Sequence, residues 1–154
     1  MRTRKNTLIT KALWLLFYLY IVMLCYFLFF SEHYGRNDIM SAYKSNLVLF
    51  REIRRYITHR DRIGFESFFV NILGNIFAFA PFGFFLPLLN KKYRNFFVIT
   101  LMSLLFSLSI ESIQLVFRVG IFDVDDLFLN TIGGIIGYLL YKFVRRLTAG
   151  KRNG

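Results

Sequence analysis

Glu111 is the residue from which any chemistry in this chain would start. It stands inside an apolar run, and Ser103, Ser107, Glu111, Gln114 and Arg118 follow one another at intervals of 4, 4, 3 and 4 residues. That spacing puts them on one face of a helix. A carboxylate in such a setting must hold its proton or find a cation, because an isolated ion in hydrocarbon is severely penalised. Glu111 is therefore a candidate general acid or base, or an anchor for a polar headgroup. Alternatively, it pairs with Arg118 or Asn75 and only sets helix register. Asn71 and Asn75, four apart, form a second polar face, and Asp126, Asn130, Gly133 and Gly137 form a third. Asp126 is the natural second carboxylate of an acid–base pair with Glu111. Asp123, Asp125 and Asp126 precede an apolar run, where carboxylates cap free backbone N–H groups and complement the helix dipole; at least one is expected to do so. Asn71, Asn75, Ser107, Gln114, Arg118, Asp123 and Asn130 complete the residues expected to line or bind at the site. The amides among them suit equally the orientation of a ligand and hydrogen bonds between helices.

Other chemistries lack their residues. His33 and His59 lie 26 apart with no HExxH pattern, and Cys25 is the one cysteine, so neither a metal site nor a disulfide framework is expected. Neither a Gly-x-Ser-x-Gly elbow nor a P-loop occurs. No cofactor is expected.

The polar faces must be positioned by long apolar elements. Of 154 residues 56% are hydrophobic, and the mean hydropathy of +0.48 is too high for an ordinary soluble domain. Four apolar stretches, at about 12–30, 68–89, 96–117 and 127–144, each approach the roughly 20 residues a helix needs to cross a bilayer. The reading is a single domain over 1–154, an all-α integral membrane four-helix bundle. The first stretch has a basic leader (Arg2, Arg4, Lys5, Lys11), but its apolar run is long for a signal core and Ser31-Glu32-His33-Tyr34 offers no small-x-small cleavage site. It reads as a retained anchor. Pro81, Gly83 and Pro87 interrupt the second stretch and predict a kink for packing. Gly133 and Gly137 allow close helix approach.

Charge sets the orientation. Twenty Lys and Arg oppose nine Asp and Glu, a net of +11. Residues 1–11, the link Asn90 to Asn95 and the tail from Lys142 hold twelve of the basic residues and no acid. The positive-inside rule then places both termini and the middle link in the cytoplasm. These cations are explained by topology and anionic lipid, so nucleic-acid binding is not expected. The polar faces fall in the outer half: at 1.5 Å per residue, Glu111 lies about 9 Å, Asn75 about 10 Å and Asn130 about 5 Å below the outer ends of their helices. A polar pocket open to the outside follows. In the outer segment, Phe50, Ile53 and Ile57 recur at i, i+3 and i+7, with Arg51, Arg54, Arg55 and Arg60 on other faces. This suits an amphipathic helix on the outer membrane surface, or a solvated helix packed on the bundle's rim.

Three stretches resemble the VanZ-like family of small bacterial membrane proteins. They are Asn75 with Pro81-Phe82-Gly83; Glu111-Ser112-Ile113-Gln114; and Asp123-Val124-Asp125-Asp126 followed by Asn130-Thr131-Ile132-Gly133. The likeness covers about residues 45 to 141. The family's outer segment often carries Asn-Leu-x-Pro-Phe, and here Asn46-Leu47-Val48-Leu49-Phe50 lacks the proline. The resemblance implies a multi-pass protein of the bacterial plasma membrane with a role at the cell envelope, since the family's namesake confers low-level resistance to the glycopeptide teicoplanin. The implied partner is a membrane lipid or lipid-linked cell-wall component, bound or modified in the outer pocket. A four-span transporter or a non-catalytic assembly subunit is the alternative. Against transport there is no internal repeat, although a homodimer would supply the symmetry.

Overall fold

The computed structural model describes residues 2–30, 45–58 and 65–150. Its main elements are α1 (Arg2–Phe30), α2 (Arg51–Thr58), α3 (Phe65–Leu89), α4 (Phe96–Phe117) and α5 (Val124–Gly150). Four of these are long and apolar enough to cross a membrane, over Thr7–Phe29, Asn71–Leu89, Phe96–Phe117 and Val124–Ala149. The four apolar stretches read from the sequence therefore correspond to four helices. α1 begins ten residues earlier than expected and α5 extends further at both ends.

Local chemistry explains where the helices start and stop. A 3₁₀ turn, Lys91–Tyr93, joins α3 to α4. Asn95 caps α4, its side-chain oxygen accepting from Phe97 N at 2.8 Å and Val98 N at 3.4 Å. At the other end Arg118 adopts a left-handed conformation (φ 54°), and its N–H reaches the Gln114 and Leu115 carbonyls. Asp123 accepts from Asp125 N at 2.8 Å at the start of α5, so one of the three acids does cap that helix. α3 is one helix through Pro81 and Pro87.

The long helices alternate in direction. α3 and α5 form the central pair, with α4 against α5 and α1 against α3. Glycine makes the central contact possible. A Cβ on Gly83 would overlap the Gly134 carbonyl, one on Gly133 the Ile76 carbonyl, and one on Gly137 the Ala80 carbonyl. Backbones this close allow Cα–H···O contacts that larger residues would prevent. Around this seam pack Phe82, Leu86, Ile99, Tyr138 and Tyr141, with a second cluster of Leu24, Phe79 and Ile110. Phe106 bridges the two, stacked on Phe82 at 4.6 Å.

Polar bolts set the helix registers. Tyr20 Oη donates to the Ala78 carbonyl (2.7 Å), tying α1 to α3, and Tyr138 Oη donates to the Arg94 carbonyl (2.7 Å), tying α5 to the link before α4. The outward faces are apolar, as lipid-facing surfaces must be: Trp14, Leu19, Phe97, Leu101, Leu139 and Phe143 are all exposed.

Two features depart from a purely helical reading. Ser45–Asn46 and Phe122–Asp123 form a two-residue parallel bridge, Ser45 opposite Phe122 and Asn46 opposite Asp123. In the outer segment, Phe50 is not part of the helix its spacing suggested. It precedes α2 with φ 65°, so the expected stripe of Phe50, Ile53 and Ile57 loses its first member, and Ile57 is exposed. Arg60, His33 and His59 lie outside the described residues.

Candidate functional site

Four of the nine acids, Glu111, Asp123, Asp125 and Asp126, stand where α4 finishes and α5 begins. Glu111 lies one and a half turns before the end of α4 and is buried. Its Oε2 accepts from the backbone N–H of Asp123 at 3.0 Å. Asp123 in turn accepts from Asn46 Nδ2 at 3.1 and 3.2 Å and from Asp125 N at 2.8 Å. Asp125, 1% exposed, accepts from Phe50 N through Oδ1. Asn75 Nδ2 of α3 donates to Asp126 Oδ1 at 2.5 Å. One turn deeper, Asn130 Nδ2 of α5 donates to Ser107 Oγ of α4 at 2.9 Å. Gln114 Nε2 donates to the Leu28 carbonyl at 3.1 Å, satisfying a terminal carbonyl that α1 cannot pair internally.

These contacts form one ladder across three helices and a strap from the outer segment. Each candidate on α4 and α5 recurs a turn apart, so Glu111 with Asp123 and Asp126 makes the first rung and Ser107 with Asn130 the next. A third rung follows at Ser103, fully buried against Gly134. Ser109 and Ser112, on the other faces of α4, and Thr100, which precedes Ser103 on the same face, return their hydroxyls to the carbonyl four residues back. Ser107 instead takes a partner on α5, and Ser103 Oγ and Asn130 Oδ1 are buried without a partner among the described residues.

Most of the expected site residues converge. Asn75, Ser107, Glu111, Asp123, Asp126 and Asn130 share the ladder, and Gln114 extends it to α1. Asn71 lies one turn before Asn75 on α3 and is half-buried. Arg118 is exposed at the end of α4, where its backbone closes the helix. The difference from the expected open pocket is burial: Asn75, Glu111 and Asn130 are buried, and each bonds a partner on a neighbouring element. Burial pushes the Asp123 carboxyl above its ordinary range, against the lowering effect of the Asp125 N–H and the Asn46 amide. Among the described residues no three of His, Cys, Asp and Glu converge as a chelating set.

The strap was missed as a site component. Leu47-Val48-Leu49-Phe50 crosses this end of the bundle, held by Asn46 to Asp123, by Phe50 N to Asp125, and by Val48 N to Asn46 Oδ1 at 3.4 Å. Phe50 then sets its ring edge-on to Phe128 at 5.3 Å. The signal was the Asn46 to Phe50 run itself. It became interpretable only once the strand pairing put Asn46 beside Asp123.

A curated protein described as "Protein VanZ" from Enterococcus faecium is 37% identical over 73 residues, which is 47% of this chain and 45% of the relative, so under half of that relative's length is matched. No solved structure matches. The sequence pattern of the VanZ/LLP1 family matches residues 17–145, which take in the second half of α1 and every rung of the ladder. The chain belongs to the VanZ/LLP1 family.

Proposed function

We propose that the chain is a multi-pass protein of the bacterial plasma membrane that lowers susceptibility to glycopeptide antibiotics such as teicoplanin. It does so by binding or modifying a lipid-linked envelope component at the acidic end of the bundle. One observation carries the reading: Glu111, Asp123, Asp126, Asn75 and Asn46, drawn from separate elements, meet in one network in which Glu111, Asn75 and Asn46 are buried. Buried acids are costly in a bundle of this kind and are commonly retained for a task. The matched relative described as VanZ supports the biological direction.

The acidic end faces outward in this reading and both termini face the cytoplasm, because cations without acids gather at the other end. Arg118 and Lys142, both exposed, mark the two ends. In a Cys25→Ser background, Arg118→Cys reacts with a membrane-impermeant thiol reagent on intact cells and Lys142→Cys reacts only after lysis. The reverse pattern overturns the orientation. The amphipathic segment around α2 then lies on the outer membrane surface.

Within the site, Glu111 is the acid–base candidate and Asp126 its partner, with the strap as the element that must move to admit a ligand. Function is tested in a deletion strain complemented with wild type or Glu111→Gln, which keeps size and removes acidity. Susceptibility to teicoplanin and to other lipophilic envelope antibiotics is measured together with protein abundance and lipid composition. Loss of protection at normal abundance supports chemistry or binding at Glu111; unchanged protection removes it. The second reading, a non-catalytic assembly subunit, rests on the mutual satisfaction of the ladder and predicts that Glu111→Gln alters abundance and protection together.

A further inference from the structure

We infer that the end of the bundle opposite Glu111 carries a binding site for the phosphate of an anionic phospholipid, formed by Arg94 on the link between α3 and α4 and by Lys142 and Arg145 on α5. The site starts from a helix face. Tyr138, Tyr141, Lys142 and Arg145 follow at intervals of 3, 1 and 3 residues, so they share one face of α5. The two tyrosines are buried and the two cations are exposed. Tyr138 Oη donates to the Arg94 carbonyl at 2.7 Å, which brings this face against a link 44 residues away in sequence.

Each of the three cations has a seat. Lys142 Nζ lies 5.7 Å from the centre of the Tyr138 ring, and Arg145 Nη1 donates to Tyr141 Oη at 3.4 Å. Arg94 Nε donates to the Pro87 carbonyl at 3.2 Å, one of the terminal carbonyls that α3 cannot pair internally. No carboxylate of the elements at this end can neutralise them, since α1, the link and residues 138–150 contain no Asp or Glu. Orientation in the membrane needs cations here but no seats for them. Seated donors with net positive charge, gathered from two segments, fit an oxyanion.

Depth and surroundings make that oxyanion a lipid's. Tyr138 meets the link, so Lys142 and Arg145 stand about 6 and 10 Å beyond it along α5, where headgroups succeed acyl chains. Leu139 and Phe143, both exposed, flank the cations on the same helix, and the Phe96 ring at the start of α4 lies 6.2 Å from that of Tyr138. A surface that sets exposed apolar side chains beside cations suits an amphiphile, its phosphate on Arg94, Lys142 and Arg145 and its chains along Leu139 and Phe143. A nucleic acid would leave the apolar half of that surface uncovered. Net charge then selects the lipid, because phosphatidylcholine and phosphatidylethanolamine bring a cation of their own to a cationic site.

The test uses the full chain in phosphatidylcholine nanodiscs containing phosphatidylglycerol and phosphatidylethanolamine at equal mole fraction. Lipid retained on the protein is counted by native mass spectrometry. The expected result is selective retention of phosphatidylglycerol, falling about fivefold in Lys142→Gln and in Arg145→Gln, as loss of one headgroup-facing cation implies. Lys142→Arg, which keeps the charge, retains the lipid. Lys11→Gln removes an exposed cation of α1 outside this cluster and leaves retention unchanged. Circular dichroism and gel filtration verify that each variant is folded. Equal retention of the two lipids, or equal losses in Lys11→Gln and Lys142→Gln, would mean diffuse attraction to a basic surface and overturns the site. Displacement of phosphatidylglycerol by a short DNA oligonucleotide, dependent on Lys142 and Arg145, would make the ligand a polynucleotide and overturns the lipid.

Discussion

Replacing Gly134 by alanine tests the central seam in a way that separates side-chain crowding from backbone crowding. A Cβ at 134 would stand 2.6 Å from the Ser103 Cβ, and the Ser103 hydroxyl would be closer still. Ordinary carbon–carbon contact is about 3.5–4.0 Å, so the helices must part by about 1 Å or more. Overpacking of this kind costs about 1–3 kcal/mol, against which alanine recovers about 1 kcal/mol of helix propensity over glycine. Gly134→Ala is therefore expected to lose up to about 2 kcal/mol, and about 1 kcal/mol at the middle of that range. The partner substitution decides the cause. Ser103→Ala removes the hydroxyl but leaves the Cβ, so Gly134→Ala with Ser103→Ala stays destabilised by the 2.6 Å contact. Gly134→Ala with Ser103→Gly exchanges the small residue across the interface, gains and loses one helical glycine, and returns close to wild type. Unfolding in mixed micelles, with stability taken from denaturant midpoints and slopes, reads all four proteins. Equal rescue by alanine and glycine at 103, or a Gly134→Ala protein as stable as wild type, would refute the packing. Gly83, Gly133 and Gly137 are the contrast, because each faces a carbonyl and no side-chain change opposite can relieve it.

Three further expectations follow from the strap and the bolts. Phe50 is held at φ 65° with its ring on Phe128, so Phe50→Gly should exceed Phe50→Ala in stability by about 1 kcal/mol, the left-handed penalty relieved, although both lose the aromatic contact; denaturant unfolding compares the pair. Tyr138→Phe leaves the Arg94 carbonyl without its 2.7 Å donor and should cost about 1 kcal/mol in the same assay. The Asp123 carboxyl is raised above its ordinary range by burial, so the strapped state binds the proton more tightly than the open one. Strap stability is then fullest at low pH and declines as pH rises from 3.8 through the raised value, read as faster amide exchange of Asn46 to Phe50; Asp123→Asn should flatten that dependence.

What the sequence determined by itself is the number and approximate place of the spans, because twenty apolar residues in a row have few alternatives to a crossing helix, and the placement of Glu111, Asn75 and Asn130 on helix faces, because a 3.6-residue period is a local property. Third-span bounds of 96–117 are the helix bounds found. Partners are another matter. Whether Glu111 meets Arg118, Asn75 or a backbone N–H depends on how far α4 is rotated and slid against α3 and α5, and the Gly83, Gly133, Gly134 and Gly137 contacts set that. Periodicity is silent on it. The outer segment was the least legible part, since Asn46 to Phe50 has no repeating pattern and its conformation is imposed by Asp123 and Asp125, more than seventy residues away. Tertiary structure alone turned an expected open pocket into a strapped ladder of acids and amides whose unpaired buried atoms are oxygens. A chain can encode which face of each helix is polar in its local spacing, but which polar group answers which is settled only when the helices close.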